Sequence, residues 1–168
     1  MYVTTKEMLK AAQSGGYAVG AFNFENMEMA MAIVRTAEEL RAPVILQTTP
    51  STVKYASLEI FCGIAKALAE KATVPVALHL DHGSSYELAV SAKEAGYSSV
   101  MIDGSKESLE DNIALTRRVV DAVNGQVCVE AELGTVGGKE DSTVATGTAY
   151  TDPDDAVRFV RESGCVYR

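Results

Sequence analysis

An aspartate and a histidine stand side by side at Asp81-His82, preceded by the apolar run Val76-Ala-Leu-His-Leu80 and followed by Gly83-Ser84. A carboxylate can take and return protons, and an imidazole can hold a metal ion. The apolar run reads as a buried strand of a parallel sheet. In α/β folds the reacting groups gather just past the carboxyl ends of such strands. In an extended chain His79 and Asp81 share one face, while Leu80 and His82 share the other. Asp81 and His82 can therefore serve one site only if the extended geometry breaks, which the following Gly83-Ser84 makes reasonable. His79 is expected to be a hydrogen-bonded interior histidine rather than a second ligand.

Further carboxylates fall at comparable places. Asp103 closes the run Ser98–Ile102, and Glu130 and Glu132 lie two apart within Val127–Leu133, hence on one face. Carboxylates on the inward face of a buried strand are costly unless paired or metal-bound. Together with Asp81 and Asp103 they indicate a cation site or a proton-transfer network. Asn23 and Thr49, at the ends of two other strand candidates, would line the same rim, although both are ordinary turn residues. The segment Gly134-Thr-Val-Gly-Gly138-Lys-Glu140 opens a connection running to about Thr151. It reads as a lid or as a plain connector; no helix begins directly after the glycines, so a phosphate cradle is the weaker reading. No lysine lies within a strand candidate, and Lys106 and Lys139 sit in polar loops. That disfavours imine chemistry, which needs a desolvated lysine.

The elements that must position these groups alternate in type. A first helix opens with capping-box spacing at Thr4-Thr-Lys-Glu7 and closes at Gly15-Gly16. Strand candidates are Tyr17–Phe22, Val44–Gln47, Val76–Leu80, Ser98–Ile102 and Val127–Leu133, with Cys165–Arg168 as the start of a sixth. Between them, Ala30, Ile33, Val34 and Ala37 form one helical stripe, and Leu58, Phe61, Cys62, Ala65, Leu68 and Ala69 form another. Helices are also expected over Tyr86–Ala95, from about Ser108 to Asn124-Gly125, and from Asp152 as N-cap with Pro153 at the first position to Gly164. Strands alternating with crossover helices imply parallel βαβ units. A complete eightfold barrel needs about 250 residues; this chain has 168, so about five units and the start of a sixth are expected.

The chain carries 15 basic and 23 acidic residues, a net charge of −8, which argues against nucleic acid or an anionic membrane surface as partner. Cys62, Cys128 and Cys165 are expected to be buried, reduced thiols. With no signal-like N-terminus and no apolar run long enough for a bilayer, a cytoplasmic location is expected.

Two of these segments carry a resemblance. Val74-Pro-Val-Ala-Leu-His79-Leu-Asp81-His82-Gly83 and Val129-Glu130-Ala-Glu132-Leu-Gly134-Thr-Val-Gly-Gly138-Lys-Glu140 are similar to the two signatures of the metal-dependent, class II ketose-bisphosphate aldolases. Ser99-Val-Met-Ile-Asp103 lies between them at the corresponding place, and Ala21-Phe-Asn23 and Pro43–Thr49 match as well, so the likeness runs from about Met1 to Gly164. The resemblance implies a (β/α)₈ barrel and reversible cleavage of a fructose or tagatose 1,6-bisphosphate to dihydroxyacetone phosphate and glyceraldehyde 3-phosphate. It assigns His82 as a zinc ligand and Asp81 as the acid/base at the C4 hydroxyl. Asp103 and Glu132 form a secondary position for a divalent or monovalent cation, and Glu140 handles the proton on the three-carbon fragment. Asn23 and Thr49 face the substrate, Thr49 standing where the family usually has serine. Homo-oligomers are implied for the full-length family. The family's zinc takes three histidines, whereas this sequence has only His79 and His82. The expectation is therefore the N-terminal portion of a single barrel domain, over residues 1–168, with impaired activity, or alternatively a non-catalytic partial barrel that completes itself by association.

Overall fold

The computed structural model describes residues 1–134, 138–140, 143–145 and 150–165, the two short middle segments by their backbone. Five parallel strands pair in chain order: β1 (Gly20–Asn23), β2 (Val44–Thr48), β3 (Val76–Gly83), β4 (Ser99–Ile102) and β5 (Cys128–Ala131). The helices are α1 (Thr5–Gly15), α2 (Met27–Leu40), α3 (Pro50–Ala56), α4 (Leu58–Lys71), α5 (Tyr86–Ala95), α6 (Leu109–Val123) and α7 (Pro153–Ser163), and β6 (Gly138–Glu140) pairs antiparallel with β7 (Thr143–Ala145). This is the α/β arrangement expected of a (β/α)₈-family sheet, five units of it.

Local chemistry sets the helix ends. Asn26, Ser85, Ser108 and Asp152 each accept a backbone N–H of the first turn with the side chain. Left-handed residues at Gly16, Gly96, Asn124 and Gly164 stop α1, α5, α6 and α7. Strand periodicity then sorts the side chains. Leu46, Leu78, Leu80, Val100 and Ile102 join the main core under α2, α4, α5 and α6, where the rings of Phe24 and Phe61 meet edge to face at 5.2 Å. The alternate residues Ile45 and Ala77 form a separate small cluster with Met8 of α1. Further along that second face the side chains become polar: Gln47, His79 and Ser99 are level in the register of β2, β3 and β4.

Several elements differ from the sequence reading. The first strand is Gly20–Asn23 rather than Tyr17–Phe22, because the chain leaving α1 first turns back, Tyr17 N–H donating to Ala12 C=O. Thr4 stands at the N-cap of α1 but makes no side-chain capping bond. α3 is an additional helix, started by Thr49 at its N-cap and Pro50 in its first turn. β3 runs three residues past Leu80, and Lys139 lies on β6 rather than in an open loop. The sixth-strand segment falls largely outside the described residues, as do parts of the Gly-rich connection. Among the described residues, no helix is long and apolar enough to cross a membrane, and the three cysteines are free and buried, as expected.

Candidate metal and proton-transfer site

The site is made possible by an irregularity in β3. Leu80 pairs with Val100 of β4, but the next pair is Gly83 with Ile102, so β3 carries one residue more than its partner over this stretch. A bulge of this kind bends the strand and re-aims a side chain. His82 takes the left-handed conformation, φ 49°, which is uncommon outside glycine and held only where surrounding contacts determine it. Gly83 then restores pairing: Asp103 N–H donates to Gly83 C=O at 3.0 Å. A Cβ on Gly83 would lie 2.3 Å from the Met101 carbonyl oxygen, so only glycine permits this approach. The break in extended geometry required for Asp81 and His82 to share a site is thus present.

Around the bulge the strand ends bring their polar groups together. His82 Nδ1 lies 3.1 Å from Asp103 Oδ2 and 3.4 Å from Glu132 Oε2. The other oxygen of Asp103, Oδ1, accepts from Ser105 N–H at 3.0 Å and from Ser105 Oγ–H at 2.6 Å. Asp81 Oδ2 accepts from the Gln47 side-chain amide at 2.7 Å. The hydrogen bond that His82 donates to Asp103, reinforced by the charges of Asp81 and Glu132, holds His82 up at about 9. Asp103 is held well below the usual carboxylate range by His82 and Ser105. His82 is therefore an imidazolium at neutral pH when a proton is all that binds there.

His79 behaves differently. It is buried, with Nδ1 2.9 Å from Ser99 Oγ, and burial followed by the His82 charge depresses it to about 4. Its Nε2 is 3.6 Å from Glu130 Oε2, but His79 is neutral at pH 7 and burial pushes Glu130 up. That contact is not an ion pair. His79 is the hydrogen-bonded interior histidine expected from the sequence.

Glu132 lies one residue beyond β5 and reaches His82, whereas Glu130 within the strand reaches His79. Asn23 ends β1 in register with Gln47 and is exposed. Thr49 caps α3, its hydroxyl 2.9 Å from Ser51 Oγ and 3.2 Å from Thr52 Oγ1. Glu140 is placed on β6, and its side chain lies outside the described residues. The sequence reading missed Gln47, Ser105 and Asn112, whose amide donates to Glu132 C=O at 2.7 Å. The signal for Gln47 was a polar residue ending the apolar run Val44-Ile-Leu.

The three converging donor atoms fit a metal. His82, Asp103 and Glu132 each offer one ligand atom, all within 4.8 Å of one another. Bonds of roughly 2.0–2.1 Å to a tetrahedral zinc ion place neighbouring ligand atoms about 3.3 Å apart. The separations of 3.1 and 3.4 Å from Nδ1 bracket that value. One imidazole and two carboxylates suit a borderline divalent ion, and a second layer already orients them.

Comparison with known proteins identifies the family. The family model for class II fructose-bisphosphate aldolase matches residues 3–167, and the chain belongs to that family. It is 44% identical over 168 residues to a fructose-bisphosphate aldolase of Staphylococcus aureus, covering 96% of this chain and 58% of the relative. It is 45% identical over 166 residues to one from Geobacillus stearothermophilus, with the same coverage. Among solved structures, the YdjI aldolase of Escherichia coli K12 superposes with a TM-score of 0.85 at 37% identity, covering 98% of this chain and 58% of that one. The chain thus spans a little under three fifths of the length of these relatives.

Proposed function

We propose that this chain carries the proton-transfer residues and part of the metal centre of a zinc-dependent aldolase. It would cleave a fructose or tagatose 1,6-bisphosphate to dihydroxyacetone phosphate and glyceraldehyde 3-phosphate. The observation that carries this reading is the convergence of His82, Asp103 and Glu132 directly beside Asp81. His82 would hold zinc, with Asp103 and Glu132 offering a neighbouring position for the same or a second cation. When bound, the metal supplies Lewis-acid polarisation of the substrate ketone.

The rest is work for side chains. Asp81 accepts the C4 hydroxyl proton as the C3–C4 bond breaks and the new aldehyde forms at C4. The bonding pair stays with C3 of the three-carbon fragment, and Glu140 delivers the proton that this carbon takes up. Condensation runs the same transfers backwards. Gln47 orients Asp81, and Asn23 and Thr49 line the substrate side of the rim. The setting is a cytoplasmic enzyme that forms homo-oligomers at full length, residues 1–168 being the N-terminal portion of one barrel domain.

Two assays on the 168-residue chain test this. Zinc binding measured by calorimetry should be lost in His82→Ala. Deuterium exchange into dihydroxyacetone phosphate, followed by NMR, reads the Glu140 half of the reaction separately from bisphosphate cleavage. Asp81→Asn should suppress cleavage and spare exchange; equal loss of both removes Asp81 from the proposed role. Cleavage by this chain is expected to be slow, and turnover at ordinary enzyme rates overturns that expectation.

One observation favours a second reading, a partial barrel completed by association. All four residues of β1 are exposed. Beside that strand, Phe22, Ile33, Leu40, Pro43 and Val44 line an apolar groove of about 430 Å³. Static light scattering together with metal analysis decides it: a monomer that holds no zinc removes support for an assembled site.

A further inference from the structure

The sheet does not by itself fix the distance between Asp103 and Glu132. The β4–β5 ladder ends at the pair Ile102 and Ala131, so both carboxylate-bearing residues lie one step beyond the last cross-strand pair. Asp103 is tied back to β3 through Gly83. Glu132 is tied to a residue of another element, Asn112 of α6.

Asn112 is buried, 2% exposed, and both ends of its amide are engaged. Nδ2 donates to Glu132 C=O at 2.7 Å, and Oδ1 accepts from Thr116 Oγ–H at 3.3 Å. These two bonds fix which end of the amide faces the sheet. On its other side Asn112 presses on the backbone that follows Asp103. A Cβ built on Gly104 would lie 2.3 Å from Asn112 Oδ1 and 2.7 Å from its Cγ. Gly104 has no positive φ, so the requirement for glycine there is set by Asn112 rather than by backbone conformation.

We infer that Asn112 is a positioning residue that spans the open ends of β4 and β5 and thereby sets the spacing of the Asp103 and Glu132 ligand atoms. This rests on the proposed metal site. The orienting partners of metal ligands typically contribute about 10–100-fold to affinity, and Asn112 supplies this orientation through backbone rather than through the ligand atoms themselves.

The test is binding of Co²⁺ alone to the full 168-residue chain, by calorimetry and by the visible absorption band. Asn112→Ala should weaken binding about 10–100-fold and shift the band towards the weak absorption of higher coordination. Gly104→Ala should do the same by pushing Asn112 from the opposite side, and should add little in the Asn112→Ala background. Thr116→Val, which frees the amide without removing it, should give a smaller loss and serves if Asn112→Ala folds poorly. Val119→Ala, a buried cavity in the same helix, should lower the melting temperature and leave Co²⁺ affinity and spectrum unchanged. Equal Co²⁺ binding in wild type and Asn112→Ala, additive losses in the double variant, or a matching loss in Val119→Ala overturns the positioning role. Binding in wild type that survives His82→Ala instead overturns the metal site itself, and the inference with it.

Discussion

His82 and Asp103 hold each other ionised: Nδ1 and Oδ2 stand 3.1 Å apart, the imidazole raised to about 9 and the carboxyl held below its usual range. In metal-free protein this pair is an anchor between β3 and β4. The His82 contribution to stability is fully present below pH 6.5, its unfolded value, and is lost as pH rises through about 9. The pair is half-buried and screened, so the effect is on the order of 1 kcal/mol. Urea unfolding from pH 6 to 10 should show the decline, and Asp103→Asn should flatten it. A His82 ring resonance titrating near 6.5 in the wild type would contradict the pairing.

A divalent ion must displace the proton that His82 carries. Zinc affinity should therefore rise about tenfold per pH unit up to about 9, where His82 loses its proton. Calorimetry in buffers of different ionisation enthalpy should count close to one proton released per ion. No dependence on buffer would mean that the ion binds without Nδ1.

His79 gives the opposite sign. Its folded value near 4 lies below the unfolded 6.5, so between these values the unfolded chain binds a proton that the folded chain refuses. Stability should fall with decreasing pH across that window, by at most about 1.4 kcal/mol per unit. His79→Gln should reduce the slope, and an unchanged slope assigns the acid sensitivity to other groups.

Two glycine substitutions should act in opposite directions. Gly83→Ala places a methyl against the Met101 carbonyl and should destabilise by about 2 kcal/mol or more, through overpacking, while weakening metal binding. Gly63, within α4, has open space at the corresponding position. Gly63→Ala should stabilise by about 1 kcal/mol. Thermal unfolding of both variants checks the contrast.

Gln47→Leu removes the amide that Asp81 accepts from, at 2.7 Å. Metal affinity should be unchanged, while the cleavage proposed for Asp81 falls by about 100-fold, the lower end of what a positioned proton transfer contributes. A fall in metal affinity instead would place Gln47 in support of His82.

The site was legible because Asp81 and Asp103 each follow an apolar run abruptly, and burial makes an unpaired carboxylate there expensive, although β3 itself runs on to Gly83. The helix stops were legible for a similar reason: Gly96, Asn124 and Gly164 suit the left-handed residue that ends a helix. What stayed hidden depends on tertiary structure. Gly83-Ser84 pointed to a break in the strand, but its form, a left-handed His82, follows from how β3 meets β4. α3 begins Pro50-Ser-Thr-Val53, residues whose propensities point away from helix, and its N-cap overrides them. Asn112 lies on a helix 20 positions before the carbonyl it holds, within a segment whose sequence reads only as a helix from about Ser108. Thr4 failed in the other direction, with the right residue type in the capping position and no bond made.

The surplus residue in β3 separates the history of the sheet from that of the site. Losing one residue between Leu80 and Gly83 would bring the strand back into frame with β4, a change the hydrogen-bonded ladder would welcome. Only Asp81 and His82 lie between them, so that loss would remove either the carboxylate or the imidazole itself. A descendant of this chain could in that way lose the site in a single deletion, exchanging the His82–Asp103 anchor for a regular ladder. The irregular frame and the Asp-His pair that forms it stand or fall together, and both are what to look for in a related sequence.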